Sequence, residues 1–83
     1  MSINEILQAQ FLEVVENQLR MDDPAETRLT LERLEQAGYS RQDSKKMISA
    51  CVAVAIADTL SSNEPFDEAR YIKNLNRLPD LPE

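Results

Sequence analysis

Four groups of side chains in this chain have chemistry to offer: paired carboxylates, one thiol, a basic stripe and a Leu-Pro tail. Glu13 with Glu16, and Glu32 with Glu35, stand three residues apart, a spacing that one helix face brings together. Such a pair can share a divalent cation, yet a hard cation takes about six oxygen ligands, and a single helix supplies only two carboxylates. A solvated face, with Arg28 and Arg33 pairing locally with these acids, accounts for them better. Cys51 is the only cysteine, and no base adjoins it in sequence. Reactive thiols sit exposed beside positive charge, whereas Cys51 falls inside an apolar run and reads as core packing.

Histidine is absent, which removes the commonest general base and the commonest metal ligand together. One cysteine without histidine leaves no zinc site of standard type, and a Glu-x-x-His di-iron bundle is excluded. The single glycine leaves no phosphate-cradling loop. The expectation is a protein without catalytic activity, cofactor or metal, with a carboxylate-dependent enzyme as the weaker alternative.

Arg70, Lys73 and Arg77 recur at helical spacing on an otherwise acidic chain of net charge −6. They read either as a solvated outer face or as a contact for an acidic segment or anionic ligand. The overall charge disfavours nucleic acid and anionic membrane surfaces as partners. Arg41, Lys45 and Lys46 sit where a helix begins, against its dipole, which a bound anion or a nearby acidic side chain would relieve.

The elements that must position these groups are helices. Eighty-three residues make one domain over 1–83. Ser2 with Glu5 forms a capping box for a helix over about 3–20, with Ile3, Leu7, Phe11, Val14, Val15 and Gln18 on one face and Ile6 at its edge. Leu12 and Leu19 lie off that stripe and imply a second packing surface, inside the fold or against another chain. Asp23-Pro24-Ala25-Glu26 reads as a second helix start, with Asp23 capping and Pro24 in the first turn. That helix runs over about 24–37, with Leu31, Leu34 and Ala37 inward and Leu29 on a different side, and Gly38 ends it.

Ser40-Arg41-Gln42-Asp43 opens a third helix over about 41–60. Its segment Met47 to Ala57 is apolar on every side, which marks a central helix that its neighbours wrap. Ala50, Ala53 and Ala57 would let another helix come close. A fourth helix spans about 67–78, with Tyr71, Leu75 and Leu78 inward. Pro79 ends it and leaves an extended Leu-Pro tail. Leu81 in that tail either packs back as a strap or stays free as a docking peptide. The fold class is thus a compact all-α domain of four helices.

The N-terminus lacks a basic start and an unbroken apolar run, so it does not read as a signal peptide. No stretch reaches the length of a membrane span. Together with the lone thiol this fits a reducing cytoplasm. The surplus of apolar helix surface without catalytic equipment points to a protein-interaction role, as a homodimer or as an adaptor for another protein. The candidate contacts are Leu12, Leu19, Leu29, Leu81, Arg70, Lys73 and Arg77.

Pro24-Ala25-Glu26, Thr30, Arg33-Leu34, Gly38-Tyr39-Ser40, Phe66-Asp67, Arg70-Tyr71 and Leu78-Pro79-x-Leu81-Pro82 together resemble a bacterial family of small helical proteins of unknown function, over residues 24–82. That resemblance implies a helical fold and a bacterial cytoplasmic origin. It implies no activity and no functional residue.

Overall fold

The computed structural model describes residues 2–83. Four helices follow in order: α1 (Ile3–Met21), α2 (Ala25–Gln36), α3 (Arg41–Ser62) and α4 (Glu68–Arg77). No strand occurs among the described residues. The all-α four-helix architecture expected from the periodicity is the architecture observed.

Local chemistry sets most of the boundaries. The Ser2 hydroxyl accepts from the Glu5 N–H at 3.2 Å, and the Glu5 carboxylate accepts from the Ser2 N–H. Ser40 accepts from the Asp43 N–H at 3.0 Å, and Asp67 from the Arg70 N–H at 3.1 Å. Each satisfies one of the orphan donors at a helix start. Gly38, at φ 105°, reverses the chain after α2. Tyr39 N–H then donates to the Leu34 carbonyl and Gly38 N–H to the Glu35 carbonyl, both at 3.1 Å, which is the Schellman pattern. Asp22 ends α1 in the same way from a left-handed conformation, with Asp23 N–H reaching back to the Gln18 carbonyl.

Two boundaries differ from expectation. Pro24, not Asp23, holds the N-cap position of α2, and no side chain caps that end. Asp23 is instead taken up by the reversal after α1, since its N–H closes that Schellman pattern. α3 continues two residues past 60. Its last turns carry Thr59, Ser61 and Ser62, whose hydroxyls donate to the carbonyls of Ala55 and Asp58 within the helix. Asn63, left-handed at φ 58°, then stops it.

α3 packs against all three other helices, and so does α2, whereas α1 and α4 flank this pair without packing on each other. The core joins Val15 of α1, Leu31 and Leu34 of α2, Ile48, Cys51, Val52 and Ala55 of α3, and Tyr71, Leu75 and Leu78 of α4 and its end. α3 is central as expected, but its neighbours do not enclose it. Ala50 and Ala57 face outward. Ala37 is also exposed, because it is the cap of α2 rather than part of its stripe. Thr27 and Thr30 complete the buried face of α2 in its place.

Those threonines belong to a polar seam through the core. The Tyr71 hydroxyl, fully buried, donates to Gln18 Oε1 at 2.7 Å, and the Thr27 hydroxyl donates to the same oxygen at 2.8 Å. One amide oxygen on α1 thereby ties α2 and α4 together, and it links the two flanking helices that share no packed face. Burying a hydroxyl costs free energy unless it is bonded, so each of the three groups depends on the others.

Candidate functional site

α4 presents Arg70, Lys73 and Arg77 on the side away from the core, and the structure brings all three beside the returning tail. After α4 the Asp80 N–H donates to the Arg77 carbonyl at 2.9 Å and turns the chain back. Glu83 is then held four ways. Asn74 Nδ2 donates to its main-chain oxygen at 3.1 Å, and its own N–H donates to Asn74 Oδ1 at 3.1 Å. Arg70 Nε donates to the same main-chain oxygen at 3.0 Å. Arg77 Nη1 pairs with its carboxylate at 2.8 Å. The hydrogen bond from Arg77, reinforced by its charge and by the charges of Lys73 and Arg70, holds the Glu83 carboxyl below the usual range.

Asn74 is the residue that sequence reasoning missed. Only 3 % of it is exposed, among the apolar residues of α4, and both ends of its amide serve the main chain of one residue, Glu83. Arg70 also reaches back to α3, with Nη1 2.6 Å from Asp58 Oδ2, an ion pair without the alignment of a hydrogen bond. Lys73 takes part in no ion pair among the described residues. A cleft of about 420 Å³ lies between the end of α3 and α4, lined by Asp58, Ser62, Asp67, Arg70 and Asn74.

Leu81 does not pack as a strap: it is 83 % exposed. Leu78 carries the apolar anchoring of this end, being buried in the core. The tail beyond it is held by polar contacts. Arg33 adds to the same region. It does not pair with the acids of its own helix; its guanidinium donates to the carbonyls of Leu75 and Leu78 at 2.9 and 2.8 Å. A cation there sits at the negative end of the α4 dipole, adding a donor to the Leu75 carbonyl, which also accepts from the Leu78 N–H.

The remaining candidates separate. Leu19 packs against the core, so it faces into the fold rather than toward another chain. Leu12 is half-buried and lines a shallow groove with Glu16, Arg41, Gln42 and Lys45. Leu29 stands half-exposed on the outer side of α2. The surplus apolar surface lies instead on the main stripe of α1. The core takes the side of that helix centred on Val15, flanked by Phe11 and Leu19. Ile3, Ile6 and Leu7 are left 73, 43 and 41 % exposed. Leu7, Phe11 and Val14 form one wall of an open groove of about 470 Å³, and Ala53, Ile56, Ala57 and Leu60 of α3 form the other. Gln10 is its one polar lining residue, and no charged side chain lines it.

The acidic pairs are spread among cations: Glu16 meets Lys45, Glu32 meets Arg28, and Glu35 meets Arg41. The last contact and the Glu16–Lys45 pair set acidic side chains beside the basic residues that oppose the dipole of α3. Among the described residues no three acidic or cysteine side chains gather around a point where an ion would sit. Cys51 is fully buried, and desolvation pushes its thiol up to about 11. That is the opposite of the lowered pKa a nucleophilic thiol needs. No helix among the described residues is long and apolar enough to cross a membrane. Comparison with protein-family models, with curated proteins and with solved structures finds no match to this chain.

Proposed function

We propose that this chain is a small, non-catalytic protein-interaction module that pairs with a second copy of itself through the corner between α1 and α3. The supporting observation is the apolar groove there, unbroken by charge from Leu7 to Leu60 and continued by Ile3 and Ile6.

The corner also has the shape a two-fold pair requires. Such an interface uses one patch twice, so the patch must hold both the projection and the recess. Ile3, Ile6 and Leu7 project, while the small side chains of Ala53 and Ala57 leave room beside them. The resemblance to small bacterial helical proteins, and a lone cysteine kept in the core, accord with a bacterial cytoplasmic setting.

Light scattering on the full chain across a concentration series tests this reading. The expected result is a monomer–dimer equilibrium that Leu60→Glu removes while helical content stays unchanged. Leu60 is 78 % exposed, so its replacement leaves the core intact. A wild-type chain that stays monomeric throughout, or a Leu60→Glu chain that pairs as well as wild type, overturns it.

A further inference from the structure

The contacts at Glu83 have the form of peptide recognition. Asn74 engages a main-chain N–H and the main-chain oxygen of the same residue. That is the pairing an edge strand offers an extended peptide, and it is indifferent to side-chain identity. Specificity comes from the cations around it, Arg77 on the carboxylate, with Arg70 and Lys73 adding positive charge beside it. The grip is built into the fold: Asn74 is almost wholly buried, and Arg70 is braced by Asp58.

The segment that fills the grip contributes little to the fold in return. Between Pro79 and Glu83 only Pro82 is half-buried, and Leu81 projects into solvent. A strap selected for stability would bury its leucine. This one is seated like a ligand.

We propose that Asn74, Arg70 and Arg77 form a clasp for an extended acidic peptide segment of a partner protein, and that the chain's own residues 79–83 occupy it in competition. The tail leaves α4 only a few residues before the clasp, so its effective concentration is about millimolar, as for any short tether. With a tail of about 0.1 mM intrinsic affinity for the clasp, a partner segment of any affinity appears roughly tenfold weaker until the tail is displaced. The inference is independent of pairing through the α1/α3 corner, which lies on other residues.

The test uses a fluorescent peptide of sequence Pro-Asp-Leu-Pro-Glu with an amidated end, titrated with the full chain by anisotropy. Glu83→Arg removes the one side-chain contact and sets a cation against Arg70 and Arg77, so that charge repulsion opposes the three main-chain contacts that remain; the site is exposed, so helical content serves as the folding control. The expected result is binding about tenfold tighter to Glu83→Arg than to wild type, weakening as salt rises. Arg77→Ser added to Glu83→Arg is expected to lose that binding, and so is a peptide with lysine in the last place. Equal affinity for wild type and Glu83→Arg, no saturable binding to Glu83→Arg, or binding indifferent to Arg77→Ser overturns the proposal.

Discussion

Tyr71, Gln18 and Thr27 form a place where single atoms decide how three helices meet. Tyr71→Phe keeps the ring and removes the hydroxyl, leaving Gln18 Oε1 with Thr27 alone. The expected cost is about 1–2 kcal/mol of unfolding free energy, read from urea midpoints at unchanged slope. The same burial governs the alkaline limit. Desolvation holds the Cys51 thiol protonated to about 11 and the Tyr71 hydroxyl to about 12, while the unfolded chain releases those protons from 9.0 and 10.0. Above pH 9 the unfolded state binds fewer protons, so stability falls as pH rises, by about 2–3 kcal/mol from the thiol alone once it ionises in the fold. A thermal midpoint flat from neutrality to pH 9 and declining beyond it is expected. Cys51→Ala should move the onset about one pH unit upward, to where tyrosine begins to ionise. Sequence periodicity placed Tyr71 inward and Gln18 on the apolar face of the first helix. It does not reveal that the two meet, because a hydrogen bond across fifty residues depends on how helices stack rather than on spacing.

At the scale of the element, what is legible is what is local. Ser2 with Glu5, Ser40, Asp67 and Gly38 act within four residues of themselves, so their types announce their roles. Gly38 is the sharpest case. Open space surrounds the point where a Cβ would stand, yet its φ of 105° is one that L side chains rarely adopt. Gly38→Ala is therefore expected to cost about 1 kcal/mol or more from backbone strain alone. Asn63→Gly, at a left-handed position already held by a non-glycine residue, is expected to stay within about 0.5 kcal/mol of wild type. Parallel chemical denaturation of the two variants separates these outcomes, and equal losses would contradict the account. Asp23 and Arg33 escape local reading for a shared reason. Each satisfies a carbonyl that belongs to a different helix from the one its spacing suggests: the Gln18 carbonyl for Asp23, and those of Leu75 and Leu78 for Arg33.

For the whole molecule, the orientation of α1 decides what is left for a partner. Its apolar residues span more than one side, and spacing alone does not say which side the core takes. The core takes Val15, Phe11 and Leu19, so the second packing surface implied by Leu19 is internal, and Ile3, Ile6 and Leu7 become the outward surface. α3 leaves Ala57 and Leu60 beside them because three helices do not enclose it. Pairing through this corner has an electrostatic signature that separates it from contacts made by the basic stripe. Two copies of a chain with net charge −6 repel at a distance, and no charged side chain lines the groove. Salt screens the repulsion and leaves apolar burial in place. Self-association should therefore tighten as salt rises, whereas binding of an acidic peptide at α4 should weaken.

The measurement that bears most directly on this account is sedimentation equilibrium of the full chain at low and high salt, beside Leu60→Glu under the same conditions. The account predicts a dimer whose dissociation constant falls several-fold between about 0.05 and 0.5 M salt, and a Leu60→Glu chain that remains a monomer at both. A wild-type monomer at every concentration, or a dimer that salt dissociates, would contradict it.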